Sequence, residues 1–65
     1  METQLLRIKD VCRATGLGRS TIYAFVAKSK FPAPIKVSER ATAFVGAEVN
    51  AWIEQRIADS RKPVA

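Results

Sequence analysis

The chain has 65 residues, of which 11 are lysine or arginine and 6 aspartate or glutamate, leaving a formal charge of +5. A chain this short is expected to make one module that buries only about 60% of the surface its unfolded form exposes, so a deep enclosed active site is excluded and function falls to an exposed surface or shallow groove. It has no histidine and one cysteine, Cys12, so it lacks the parts for a histidine triad, a zinc centre, a cysteine pair or an internal disulfide.

The first helix is predicted over Lys9–Thr15, because Ile8, Val11, Cys12 and Thr15 fall at i, i+3, i+4 and i+7. Asp10 stands in its first turn, where the helix dipole favours an acid, and Gly16 is placed to take the left-handed conformation that ends a helix. Cys12 shares this apolar stripe and reads as a small packing hydrophobe. A second helix is predicted over Arg19–Lys28, with Gly18 as N-cap, Ile22, Phe25 and Val26 facing inward, and Leu17 packing against its first turn. Two helices separated by so short a glycine-containing turn must cross at a large angle, which makes a helix-turn-helix.

Pro32 and Pro34 then stop helix propagation, and "PIKVSERATAFV" reads as two short strands around a tip at Ser38–Ala41. A four-residue loop sets Ile35, Val37, Thr42 and Phe44 on the core face, with Lys36 and Ala43 on the other. From Ala47 to Ala58 the helical period returns through Val49, Trp52, Ile53, Arg56 and Ile57, with Glu48 in the first turn and Gly46 as the expected N-cap. Trp52 reads as the largest core residue, and residues 1–4 and 59–65 as frayed ends. The order helix, turn, helix, hairpin, helix predicts a mainly α fold with a small β-hairpin: a winged helix-turn-helix.

Charge is unevenly placed along this plan. No acid occurs between Asp10 and Glu39, while Arg13, Arg19, Lys28, Lys30 and Lys36 all lie there. Such a regional positive field suits a polyanion, with an ordinary solvated surface as the alternative reading. No apolar run approaches the roughly 20 residues that span a bilayer, and "METQLLRIKD" lacks the apolar core of a signal peptide. A cytoplasmic, nucleoid-associated location is expected.

Turning Ile22, Phe25 and Val26 inward and stepping about 100° per residue leaves Ser20, Ala24, Ala27 and Lys28 outward, with Thr21 and Tyr23 on the flanks. Small residues at the centre of such a face let a helix sit deep in a major groove about 12 Å wide. Arg19 is positioned to meet a phosphate at the helix N-terminus, and Ser20 and Thr21 to reach base edges or phosphate oxygens, or else to cap the helix locally. Tyr23 either donates its hydroxyl to the DNA backbone or packs under the hairpin. Lys36 and Arg40 stand where a wing would meet neighbouring phosphates.

The stretch from Leu5 to Ile57 resembles the AlpA family of prophage-encoded transcriptional regulators, related to the excisionase and MerR-type winged helix domains. The segments that carry the resemblance are "TGLGRSTIY", "FPAPIKV", Arg40 with "AFV", and "EVNAWI". It implies a small regulator of double-stranded DNA that controls a neighbouring integrase or excision gene, with the second helix as recognition helix and the hairpin as wing. Relatives commonly carry serine where this chain has Gly18 and Gly46, and a basic residue where it has Ala24. The resemblance therefore carries over no contact from a cation at the middle of the recognition helix.

Two other classes use the same surfaces: an excisionase that bends attachment-site DNA, and an adaptor that binds an acidic protein. One module offers a small footprint, so self-association on repeated half-sites is expected. No catalytic residue, metal, cofactor, small-molecule ligand or membrane partner is expected.

Overall fold

The computed structural model describes residues 4–61. In chain order it contains β1 (Leu5–Leu6), α1 (Ile8–Thr15), α2 (Arg19–Ala27), β2 (Ile35–Ser38), β3 (Ala41–Val45) and α3 (Gly46–Ser60). This is the winged helix-turn-helix plan, mainly helical with a hairpin wing. The three strands form one antiparallel sheet in the order β1-β3-β2.

The turn between α1 and α2 is fixed by local chemistry. Gly16 takes the left-handed conformation, φ 76°, and its N–H donates to the Cys12 carbonyl at 2.8 Å. A side chain there would strain the backbone, which is why glycine ends α1. Thr15 joins the helix to the turn: its Oγ1 donates to the Val11 carbonyl at 2.8 Å and accepts the Leu17 N–H at 3.2 Å. Gly18 then occupies the N-cap of α2 in an extended conformation, and its carbonyl accepts the Ile22 N–H at 3.0 Å.

The far end of α2 closes one residue earlier than expected, with Lys28 as C-cap. Lys30 N–H donates to the Phe25 carbonyl at 2.8 Å and Ser29 N–H to Val26 at 3.0 Å, the paired bonds of a Schellman turn. Ser29 sits at φ 59° in the left-handed position that glycine usually fills. The turn sends Phe31 back into the core at 5% exposure. Nothing in the spacing of "KFPAP" marks that phenylalanine as buried.

Val11, Ile22, Phe31, Phe44 and Val49 form the buried core, with Leu6, Cys12, Leu17, Phe25, Val26, Trp52 and Ile53 among the residues packed around it. Phe31 links two aromatic neighbours edge-on, Phe44 at 5.8 Å and Trp52 at 4.8 Å between ring centroids. Phe44, and not Trp52, is the largest fully buried side chain. Trp52 is only half-buried because its indole N–H reaches out to the Lys30 carbonyl at 2.7 Å. The Arg56 guanidinium stacks 4.9 Å from the Trp52 ring, so this helix position contributes its cation to an aromatic face. Ile57, on the same sequence stripe, is 45% exposed because α3 extends past the core at this end.

The hairpin departs from the expected register. Ile35 pairs with Ala43, Lys36 with Thr42 and Ser38 with Ala41, so Val37 is the extra residue of a bulge and the tip shortens to Glu39 and Arg40. Ile35 thus stands opposite Ala43 and not Phe44. Lys36 shares its side of the ladder with Thr42, and the expected pairing of Lys36 with Ala43 on one face is incorrect. The expectation that Ile35, Val37 and Thr42 face the core is also overturned: Ile35 is 45% and Val37 52% exposed, and Thr42 is exposed. The physical reason is the sheet order. β2 is an edge strand, whereas β3 lies between β1 and β2, packs on α1 and α3, and buries the consecutive residues Ala43 and Phe44.

β1 is the element that periodicity did not reveal, since two residues are too few to show alternation. Leu5 pairs with Val45 and Leu6 with Phe44. The pairing also corrects the role of Gly46, which is the first residue of α3, while Val45 is its N-cap. Gly46 is buried, and its N–H donates to the Gln4 carbonyl at 2.6 Å. A Cβ at this position would lie 2.8 Å from that carbonyl oxygen. The neighbour is backbone and cannot swing aside, so Gly46→Ala is expected to destabilise the protein by about 1–3 kcal/mol, as overpacking does. Alanine's helix propensity, better by about 1 kcal/mol in a helix interior, offsets little at the first position. Urea unfolding followed by circular dichroism measures the outcome, and an unchanged midpoint would show that β1 yields freely.

α3 also runs on to Ser60 with Arg61 as C-cap, where fraying from residue 59 was expected; Gln55 Nε2 donates to Asp59 Oδ1 at 3.1 Å in its last turns. Gln4 likewise is held, by its bond to Gly46. The remaining terminal positions of that expectation, 1–3 and 62–65, lie outside the described residues.

Candidate nucleic-acid interface

α2 buries Ile22 completely and Phe25 and Val26 in part, and it leaves the rest of its circumference exposed. Ser20, Thr21, Tyr23, Ala24, Ala27 and Lys28 are all exposed, with Tyr23 at 43%. Tyr23 therefore points to solvent. Ser20, Ala24 and Ala27 lie on the side of the helix opposite Ile22 by its period, so the centre of the outer face carries only small side chains. No acid stands in the first turn of α2, and no side chain caps it. Its leading N–H groups therefore add partial positive charge beside Arg19.

The other positions that the sequence singles out lie on a different element. Lys36 is on β2 and Arg40 at the hairpin tip, both exposed. The hairpin packs mainly through β3 on β1 and α3, while α2 packs mainly on α1. The structure thus gathers Arg19, Ser20, Thr21, Tyr23, Ala24 and Lys28 on one helix and presents Lys36 and Arg40 on the wing.

Two further cations adjoin the helix face that periodicity did not mark. Arg7 and Lys9 line an open depression with Ile8 and Arg19. Arg7 is the N-cap residue of α1, and Lys9 lies in that helix's first turn. Their sequence signal was present as charge but sits outside the acid-free stretch from Asp10 to Glu39. Among the described residues, no group of three or more histidine, cysteine, aspartate or glutamate side chains is placed to hold a metal ion, and no helix is long and apolar enough to cross a membrane.

The sequence profile of the family described as Prophage CP4-57 regulatory protein (AlpA) matches residues 4–57. The chain belongs to the AlpA family. The match runs from the residue whose carbonyl anchors Gly46 to the exposed end of the α3 stripe, so it takes in every element described above except the last turn of α3. This AlpA-family chain is also 34% identical over 61 residues to "Uncharacterized protein ORF88" of Enterobacteria phage P4, an alignment that spans 94% of this chain and 69% of the phage protein. No solved structure matches it.

Proposed function

We propose that this chain binds double-stranded DNA as a phage-type transcriptional regulator, with α2 in the major groove, the β2–β3 hairpin as wing, and the described elements acting as one DNA-binding module. The observation that carries the reading is the outer face of α2: exposed, acid-free and built around Ser20, Ala24 and Ala27, with Arg19 and Lys28 towards its two ends. Small central side chains allow close approach to base edges, and cations at the ends meet the phosphates on either side. Membership of a prophage regulatory family supports a regulatory role, and a neighbouring integrase or excision gene is the target assigned to it in this reading.

In this reading Arg19, Lys28, Lys36 and Arg40 take phosphates, Tyr23 donates its hydroxyl to the backbone, and Ser20 and Thr21 face base edges. Such a footprint is small, so useful affinity comes from two or more copies on repeated half-sites. Neutralising four or five phosphates predicts that log K falls with log salt at a slope of about −4. Fluorescence anisotropy on a labelled duplex from 50 mM salt upwards measures it, and a slope near zero would remove the basic-surface reading. Promoter binding with changed transcript levels distinguishes a regulator from an excisionase, which would bend attachment-site DNA and leave transcription unchanged.

A further inference from the structure

We propose that Arg7, Lys9 and Arg19 form a clamp for one phosphodiester of the DNA backbone, beside the groove-facing side of α2. The inference rests on the DNA-binding reading and adds to it a site and two residues, Arg7 and Lys9.

Three observations carry it. The three cations come from two separate helices, yet they line one open depression whose only other lining residue is Ile8. No acid among the described residues shares that lining, so three like charges stand together there, an arrangement that an anion relieves. Asp10, the acid nearest in sequence, is half-buried and stands outside the lining. A second depression of similar openness makes the contrast: Lys30 and Arg56 line it together with Asp59, and Arg56 there is stacked on Trp52. That lining therefore holds an acid, and one of its two cations is already engaged by an aromatic ring.

The chemistry of the three side chains suits a phosphodiester. Two guanidinium groups supply planar forks that match a pair of phosphate oxygens, and the lysine adds a point charge. Arg19 belongs both to this depression and to the first turn of α2, so a phosphate held there lies next to Ser20 and Thr21. One contact would then fix how far α2 enters the groove. The clamp positions the helix and reads no base.

The test compares salt slopes on an unrelated-sequence duplex for the full chain and for Arg7→Ala, Lys9→Ala, the double variant, Arg7→Lys and Lys30→Ala. All the altered side chains are exposed, and circular dichroism verifies that each variant is folded. Each single alanine variant is expected to flatten the slope by about one unit and the double variant by about two, with affinity at 0.1 M salt falling up to about eightfold per contact. Arg7→Lys should keep most of the slope, and Lys30→Ala should match the parent. If the parent binds with a steep slope and the Arg7 and Lys9 variants share it, the clamp is wrong and the DNA reading stands. If Lys30→Ala flattens the slope as much as Lys9→Ala, only diffuse charge is at work and the clamp is again wrong. If the parent binds no duplex, both readings fall together.

Discussion

Phe44→Ala is expected to cost the chain a large share of its stability, about 3–5 kcal/mol. Phe44 is 2% exposed and the largest fully buried side chain, and it pairs with Leu6 through the backbone while its ring meets Phe31 edge-on. Truncating a buried phenylalanine to alanine costs about 3–5 kcal/mol, the lost transfer energy plus the cavity left behind. Stability of about 0.05–0.15 kcal/mol per residue gives a chain of this length a total of only some 3–10 kcal/mol. The loss therefore takes all of the reserve at the low end of that range and about a third to a half of it at the high end. Phe44→Leu keeps much of the volume and should leave a cooperative transition at reduced midpoint. Urea titration by circular dichroism and tryptophan fluorescence separates the two variants. A native-like Phe44→Ala with a loss under about 1 kcal/mol would mean that β3 is not the centre of the fold, contrary to its place between β1 and β2.

The helices of this fold are written plainly in the chain, because each turns on one period and one identifiable stop. Val11 and Ile22 sit where their stripes predict, Gly16 takes the left-handed cap, and Gly18 opens α2. The sheet is less legible. Its register depends on a bulge at Val37, and no Asn-Gly or Asp-Gly pair at the tip announces the turn. Alternation fails on β3, the central strand, where the neighbouring residues Ala43 and Phe44 are both buried. Gly46 shows how a correct residue can receive the wrong reason: the position needs glycine for the close approach of Gln4, which lies 42 positions earlier and directly precedes a strand too short to show a pattern. Separation along the chain also hides the Arg7–Lys9–Arg19 cluster, since charge in sequence says nothing of which helix ends meet. The outward face of α2 is the opposite case, for one helical period fixes it once Ile22, Phe25 and Val26 turn inward.

That face supplies the largest expected effect on binding. Ala24→Glu is expected to weaken binding to every duplex by about 100-fold or more, equivalent to about 2.8 kcal/mol, while leaving the unfolding midpoint nearly unchanged. Ala24 is exposed and makes up part of the small-residue centre of α2, so a glutamate there meets no protein atom that must move. Its helix propensity is only a few tenths of a kcal/mol below that of alanine. On DNA the same carboxylate would enter a groove lined by phosphates, where juxtaposed like charges cost several kcal/mol. Ala24→Lys separates charge from bulk, because it adds a side chain of similar length with the opposite sign. If glutamate abolishes binding and lysine preserves or strengthens it, electrostatics at the groove governs. If both variants lose binding equally, close approach governs, and the small residues themselves are what the groove selects. Parental affinity in Ala24→Glu would be the damaging result: α2 would then not be the element in the groove, and the contact surface would have to be sought on the wing, at Lys36 and Arg40.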